Sequence, residues 1–443
     1  MKRVLVVTPR FPPVNAPDHQ RARLMLPFLR ESGWEAEVLA VTPETTGGRL
    51  DPLLEDTIPE RVPVHRVAAW SPKLCRVLGF GNLGWRSRRP LERRGARLLR
   101  ERKFDAVFMT GTVFNIFPLA AKWKRELGVP FVLDFQDPWV TDYYERTGKR
   151  PPGGWTRYRI ATRVDRRDEP ETLRAASGVV SVSPAYIEDL ARRHPWFDTS
   201  TAAVIPFGAA TGDFEVFKFR DVRQSHFDKT DGRMHWVYVG AAGAVMGTAL
   251  RGFFAALREA VGSHPDLRRR LVVHFIGTSY AHPGSEKPSV TPLAKQAGVA
   301  DMVAEHPARV PYFEALRCMA DADALIVPGS DDPGYAPSKI HNCLLARRPL
   351  LAILHRDSPA AGAVALLRGA VAVPFTPVEP RDDLVTHIRN RWFLPRAWEH
   401  GVYLDTVGFE PHTAHAMTGK LAAVFDRCAA TVPAASSAAP QTR

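Results

Sequence analysis

Cysteine is scarce in this chain and never clustered: Cys75, Cys318, Cys343 and Cys428 are the four among 443 residues, and no CxxC spacing occurs. That argues against a disulfide framework or a zinc site and fits a reducing cytoplasm. Long apolar runs are missing as well. None approaches the roughly 20 residues that span a bilayer, and the longest, Ala361 to Phe375, is interrupted by Arg368. Met1-Lys-Arg-Val-Leu-Val-Val7 starts like a secretory leader, but its apolar part meets Thr8-Pro9-Arg10 too soon to be one. It reads as a first strand. No GxGxxG turn follows that strand, which demotes a nicotinamide or flavin enzyme. No signature of an RNA- or DNA-binding module is present, so nucleic acid is not expected as a partner. Negative charge is in deficit: 47 Asp and Glu face 60 Lys and Arg, giving a net charge of +13 and a pI near 9.8. Such an excess suits an anionic partner such as a phosphorylated substrate or an anionic lipid. An arginine-rich coding bias is the other explanation.

What the chain does contain is a repeated strand–loop–helix rhythm, clearest from Ala324 to Leu354. Ala324–Val327 is a short β-branched run suited to a strand buried on both faces. Pro328 and Gly329 end it, and Ser330-Asp331-Asp332-Pro333-Gly334 is a cluster of turn formers. Pro337 and Ser338 open a helix through about Ala346, and Leu350–Leu354 is the next strand. In an open parallel sheet, ligands bind outside the carboxyl ends of the strands, where N–H groups at helix starts attract phosphates. A loop with two Asp, a Tyr and a Lys at that place is either a phospho-sugar site or an ordinary polar connection.

The same rhythm runs through both halves. Lys2–Thr8 leads into a proline-rich loop, and a helix is expected from Arg21 to about Ser32, kinked at Pro27 and ended by Gly33. Glu37–Val41, Phe104–Met109, Phe131–Asp134 and Ala175–Ser183 read as further strands. Asp134 and Asp137 fall at a carboxyl edge, where paired carboxylates orient a hydroxyl or act as base, or where one simply caps a helix. Ala209 to Arg233 lacks periodicity and reads as a linker. His235–Gly240 then restarts the pattern, with Ala241–Ala244 small enough for close approach of a ligand. Leu271–Ile276 ends in Gly277-Thr278-Ser279-Tyr280. Between Trp70 and Lys103, eleven Lys and Arg face only Glu92 and Glu101, with Trp70, Leu74, Leu78, Phe80, Leu83 and Trp85 interleaved. That mixture suits an interfacial segment on an anionic membrane, or a solvated helix packed by Leu91, Leu98 and Leu99.

Two βα domains joined by a linker, without GxGxxG, suggest the GT-B architecture. The segments VLVVTPRFPPVNAPDHQRA, FVLDFQDPW, ASGVVSVSPAYIEDL, IPFG and ADALIVPGSDDPGYAPSKIHNCLLARRPLLAIL resemble family-4-like retaining glycosyltransferases of bacterial surface-polysaccharide pathways. The resemblance implies an α/β fold of two Rossmann-like βαβ domains with an interdomain cleft. Residues 1–210 would form the acceptor domain, 211–234 a linker and 235–405 the nucleotide-sugar domain. Residues 406–430 would be a helix returning to the N-terminal domain, and 431–443 a disordered tail. The implied activity is metal-independent transfer of a sugar, with retention, from a nucleotide diphosphate to an acceptor hydroxyl of a cell-surface glycan or glycolipid precursor. No cofactor beyond the nucleotide sugar is implied, and the place would be the cytoplasm, peripheral on the inner face of the membrane through residues 70–103.

By the same resemblance, Lys339 neutralises the diphosphate with help near Ser338, and Gly240 and Ala241 lie under it. Thr278, Ser330, Asp331, Asp332 and Tyr335 face the donor, and Asn342 takes the place of a ribose-binding Glu. Asp332 and Asp137 are the catalytic candidates, Asp137 for orienting the acceptor; Asn15, Asp18, His19 and Arg21 belong to the acceptor side. The chain departs from the family's pattern at Gly334 and Asn342, where a pair of Glu is usual. It also departs in Ala241–Leu250, which lacks the usual Arg and Lys, so a basic residue such as Arg21 is expected to assist Lys339. Two competing readings remain: a non-catalytic scaffold or partner subunit, and a nucleotide-sugar epimerase or phosphorylase on the same fold.

Overall fold

The computed structural model describes residues 1–77, 81–148, 150–151, 153–279, 284–333, 339–358 and 360–430. The chain divides into two compact units, Met1–Gly208 with Ala414–Arg443, and Ala209–Thr413. The segment 209–234, expected as a linker, counts with the second unit. Tyr312 donates to Asp213 (2.6 Å), Ser225 to Glu314 (3.0 Å) and Lys229 to Asp321 (3.2 Å). Its few apolar residues anchor it, since the Phe227 ring lies 4.8 Å from that of His235 and 5.0 Å from that of His274. Scattered anchors of this kind carry no period, so the segment read as loop.

The first unit is a seven-stranded parallel sheet. Its strands are β1 (Lys2–Val7), β2 (Trp34–Val41), β3 (Val64–Val67), β4 (Ala106–Met109), β5 (Phe131–Phe135), β6 (Gly178–Ser181) and β7 (Ala202–Val204), in the order β3-β2-β1-β4-β5-β6-β7. Val7 pairs with Leu39 on one side and Met109 on the other, so the order reverses between β1 and β4. Loops leaving these two strands diverge and open a crevice at the carboxyl ends. The first helix covers only Gln20–Met25. Pro27, expected to kink it, ends it, because proline lacks the N–H of the next turn and its ring crowds the preceding carbonyls. Short turns then reach Gly33, whose φ of 81° glycine adopts freely. The last helix, Ala414–Ala430, covers the sheet: Phe425 packs edge-on against Trp34 (5.5 Å) and Phe108 (5.1 Å). Gly178 allows its approach, since a Cβ there would lie 2.7 Å from Sγ of Cys428.

The second unit repeats the plan with β8 (Met234–Val239), β9 (Leu271–Ile276), β10 (Val303–His306), β11 (Ala324–Pro328) and β12 (Leu350–His355). A short antiparallel pair follows, β13 (Leu367–Arg368) with β15 (Tyr403–Leu404), and β14 (Val371–Phe375) closes the main sheet, ordered β10-β9-β8-β11-β12-β14. Here the reversal lies between β8 and β11. One face is filled by the helix Gly247–Ser263 and by an aromatic group in which Trp236 meets Trp392 (5.5 Å), Phe393 (5.9 Å) and Trp398 (5.0 Å). The expected tail 431–443 lies outside the described residues.

Candidate active site

In the second unit the reversal point brings together the loops after β8 and β11. Gly240 follows β8 with φ of 150°, and Lys339, just before the helix Ile340–Ala346, extends its ammonium directly over the Gly240 Cα. A Cβ at Gly240 would overlap that ammonium, so a side chain there would displace the end of Lys339. The β11 loop is tied to the β8 loop by a hydrogen bond from the Asp331 N–H to the Val245 carbonyl (2.7 Å), and Asp332 N–H donates to Ser330 Oγ (3.1 Å). Burial pulls the Lys339 pKa down to about 8, with the nearby Arg309 charge adding to the effect. Lys339 and Gly240, drawn from stretches about a hundred residues apart, thus form one small basic cradle.

Two cations went unremarked in the sequence reading of these loops. Arg309 leaves the carboxyl end of β10 and acts electrostatically on Lys339. Arg251 folds its guanidinium back over the first residue of its helix, 2.9 Å from where a Cβ of Gly247 would sit. It lies one position beyond the window Ala241–Leu250 that was read as lacking a basic residue. Arg309 was detectable as the one cation in its strand-to-helix loop. Thr278 is different: its hydroxyl donates to Glu305 (2.8 Å), which also accepts from the N–H groups of Ser289 (2.8 Å) and Thr291 (2.7 Å). That cluster holds the start of the helix Thr291–Ala297, so Thr278 serves the frame rather than a ligand. Ala241 accepts the Tyr238 hydroxyl through its carbonyl (2.8 Å), and Asn342 is half-buried. Tyr335 and Ser338, like Gly334, lie outside the described residues.

In the first unit the motifs behind the resemblance converge on a buried ion pair. Arg21 Nε donates to Asp134 Oδ2 (3.0 Å), with both side chains fully buried. Thr110 Oγ1 (2.6 Å) and Gln136 Nε2 (2.9 Å) donate to the same oxygen. Arg21 Nη2 donates to the Ile205 carbonyl (2.6 Å), and the guanidinium lies 5.0 Å from the Phe207 ring. Arg21 is therefore neither on the acceptor surface nor available to assist Lys339; it ties β4, β5 and the IPFG turn together. His19 is also framework. It is fully buried, its Nε2 donates to the Val14 carbonyl (2.9 Å), and burial with the Arg23 charge lowers its pKa to about 4.

Asp18 keeps its place at the crevice. Its Oδ2 accepts from Arg10 (2.6 Å) and Thr112 (3.2 Å), whereas Oδ1 is enclosed with no hydrogen-bond partner among the described residues. Asp137 is near enough that Asp18, added to desolvation by its surroundings, raises its pKa, although its side chain reaches solvent. Asn15 is half-buried and its N–H donates to the Arg49 carbonyl (2.8 Å). Trp139 sits in the core, stacked 5.8 Å from Phe114.

The basic segment divides by face. In the helix Leu83–Glu101 the leucines Leu83, Leu91, Leu98 and Leu99 are buried, and Arg89, Arg93, Arg97 and Arg100 are exposed. Trp70, 47% exposed, sits against Arg89 (5.6 Å). Leu78 and Phe80 lie outside the described residues. Among the described residues no helix is long and apolar enough to cross a membrane, and no group of three or more His, Cys, Asp or Glu could hold a metal ion.

Residues 19–208 match the model of a glycosyl transferase 4-like domain. No curated protein matches the chain. Solved structures do, along nearly the whole length. HepE of Anabaena, in complex with UDP and glucose, is 13% identical with a TM-score of 0.55, covering 96% of this chain and 100% of its own. A UDP-forming α,α-trehalose-phosphate synthase of Burkholderia xenovorans is 13% identical, with a TM-score of 0.58 and coverages of 97% and 100%. WaaG, a glycosyltransferase involved in lipopolysaccharide biosynthesis, is 14% identical, with a TM-score of 0.52 and coverages of 97% and 99%. Residues 19–208 thus match a glycosyl transferase 4-like domain, and the chain has the GT-B fold of two parallel α/β sheets seen in these structures.

Proposed function

We propose that this glycosyltransferase moves a sugar, with retained anomeric configuration and without a metal ion, from a nucleotide diphosphate sugar to a hydroxyl of a cell-surface glycan or glycolipid precursor. The observation that carries the proposal is the Lys339 ammonium held over Gly240 at the sheet's reversal point. A diphosphate leaving group gains one negative charge as the glycosidic bond breaks, and fixed cations there stabilise it more in the transition state than in the ground state. Arg309 and Arg251 supply the basic partners to Lys339. Ser330, Asp331 and Asp332 face the sugar, with Asn342 toward the nucleotide. In the first unit Asp18 and Asp137, with Asn15 nearby, receive the acceptor. Retention needs no side-chain base, because the departing phosphate can take the acceptor proton; Asp137 orients the hydroxyl. The enzyme would work in the cytoplasm at the inner membrane face, with Trp70 and the exposed arginines of Leu83–Glu101 toward anionic lipid.

A thermal-shift screen against UDP, GDP, ADP and dTDP and their sugars tests this reading, with Lys339→Ala in parallel. One nucleotide should raise the melting temperature of the wild type by mass action and leave the variant unmoved. The anomeric configuration of the product then reports on retention. A second reading, a non-catalytic scaffold, is favoured by Asn342 where a Glu is usual; it predicts no shift with any nucleotide at millimolar concentration. An epimerase would convert the donor with no acceptor present.

A further inference from the structure

We propose that the outer face of the first half of the helix Trp155–Ala175 is a docking surface for an anionic lipid bilayer. The two halves of this helix differ sharply. Its second half is packed, with Asp168, Glu169, Thr172 and Leu173 buried, whereas no side chain from Trp155 to Arg167 is. Ile160 is 64% exposed and Trp155 37%, and Tyr143 on the preceding turn is 39% exposed. The aromatic rings run on edge to edge: Trp155 meets Tyr158 at 5.8 Å, and Tyr144 stands between Tyr158 (5.5 Å) and Tyr143 (5.3 Å).

Along the helix from Trp155 to Arg167 the exposed charges are all positive. Arg157, Arg159 and Arg163 are exposed, and at helical spacing Arg159 and Arg163 flank Ile160 on the outer face. Arg166 and Arg167 pair with Glu145 (3.6 Å) and Asp168 (3.0 Å). The sole acid from Trp155 to Arg167, Asp165, turns inward, accepting from Trp139 (3.1 Å) and Asn115 (3.4 Å).

An exposed isoleucine and tryptophan ringed by arginines fit a layered partner, apolar beneath and anionic above, as at the boundary of acyl chains and headgroups. A nucleic acid would satisfy the arginines and leave Ile160 in water. The helix Leu83–Glu101 presents arginines with its leucines turned inward, and its exposed apolar neighbour, Trp70, lies against Arg89 rather than among free arginines on an apolar face. The inference shares the peripheral placement proposed above but not the transferase chemistry, and it fails or holds independently of that chemistry.

The test is co-sedimentation of the full-length protein with phosphatidylcholine vesicles, with and without phosphatidylglycerol. Wild type should bind only the anionic vesicles. Trp155→Ser with Ile160→Ser, and separately Arg159→Glu with Arg163→Glu, should each weaken binding on the order of tenfold or more. Both should keep the wild-type melting temperature. Arg89→Glu with Arg93→Glu should reduce binding less than either. Absence of vesicle binding by the wild type, unchanged binding in both helix variants, a loss confined to the Arg89/Arg93 variant, or retention on heparin without vesicle binding would each overturn the proposal.

Discussion

Lys339 and Gly240 form the tightest pairing in the proposed donor site, and each makes a claim that can be checked. Gly240→Ala places a methyl group where the ammonium sits, at a φ of 150° that alanine adopts poorly. The expected result is nucleotide affinity lowered at least about tenfold, as for loss of one charge-assisted contact, read by calorimetric titration. Lys339 deprotonates near pH 8 in the free protein. Nucleotide affinity should therefore fall as pH rises through 8, and Lys339→Arg should flatten that profile. The same depressed pKa has a consequence for folding. Between about pH 8 and the unfolded value of 10.5 the unfolded chain holds a proton that the folded chain has released, so this group makes stability rise with pH across that window. Asp137, raised by desolvation and by Asp18, behaves oppositely to a salt-bridged acid and takes up its proton at a higher pH than an ordinary aspartate.

Among elements, the three adjacent strands β8, β9 and β10 carry His235, His274 and His306 on the sheet face away from the Gly247–Ser263 helix, with His226 of the preceding segment against them. His235 Nδ1 and His274 Nε2 are 3.0 Å apart, and the rings of His226 and His306 are 4.7 Å apart. Burial first, then the neighbouring imidazoles, lowers the His274 pKa to about 3; burial lowers His226 and His306 as well. Unfolded imidazoles near 6.5 take up protons that these refuse, so stability should fall below about pH 6.5 by roughly 1.4 kcal/mol per pH unit for His274, with His226 and His306 adding in the same direction. His274→Asn, which keeps a hydrogen-bonding side chain beside His235, should raise the melting temperature relative to wild type more at pH 5 than at pH 7. Helix packing makes a separate prediction. In Leu83–Glu101, a Cβ at Gly95 would overlap the indole of Trp123. Gly95→Ala should cost about 1–3 kcal/mol despite alanine's better helix propensity, measured by urea denaturation.

Across the chain, the first unit is discontinuous in sequence, because the helix Ala414–Ala430 packs on its sheet while the second unit runs from Ala209 to Thr413. Trp34 Nε1 donates to Asp426 Oδ1 (3.1 Å) and Lys2 Nζ to the same oxygen (2.7 Å), so the two ends of the chain meet. Truncation before Ala414 exposes Phe108, Val132 and Trp34, and should lower the melting transition of the first unit by scanning calorimetry while sparing that of the second. The net charge of +13 is spread over more than one face. The exposed arginines of Leu83–Glu101 lie over buried leucines, while those of Trp155–Arg167 surround exposed apolar side chains.

The strand–loop–helix rhythm and the absence of a dinucleotide turn were legible along the chain, and turn chemistry marked Gly240 and Lys339 as candidates. Buried parallel strands are continuous apolar runs, and turn chemistry is local, so both leave marks within a few residues. Roles that depend on distant partners left none. Arg21 looked like a free cation near a loop, yet burial against Asp134 and the Ile205 carbonyl makes it part of the frame. His19 looked titratable and is neutral in a closed pocket. Thr278 stood at a carboxyl edge, but its hydroxyl belongs to Glu305. Arg309 went unnoticed because its effect on Lys339 comes from how the strands are ordered in the sheet. The histidine row was hidden for the same reason: one histidine per strand has no spacing to read, and parallel pairing alone lines them up. Local backbone preference and hydrophobic pattern are written in the order of residues. Which polar side chains end up sharing a partner depends on strand register and helix docking, and these follow from the packing of the whole unit.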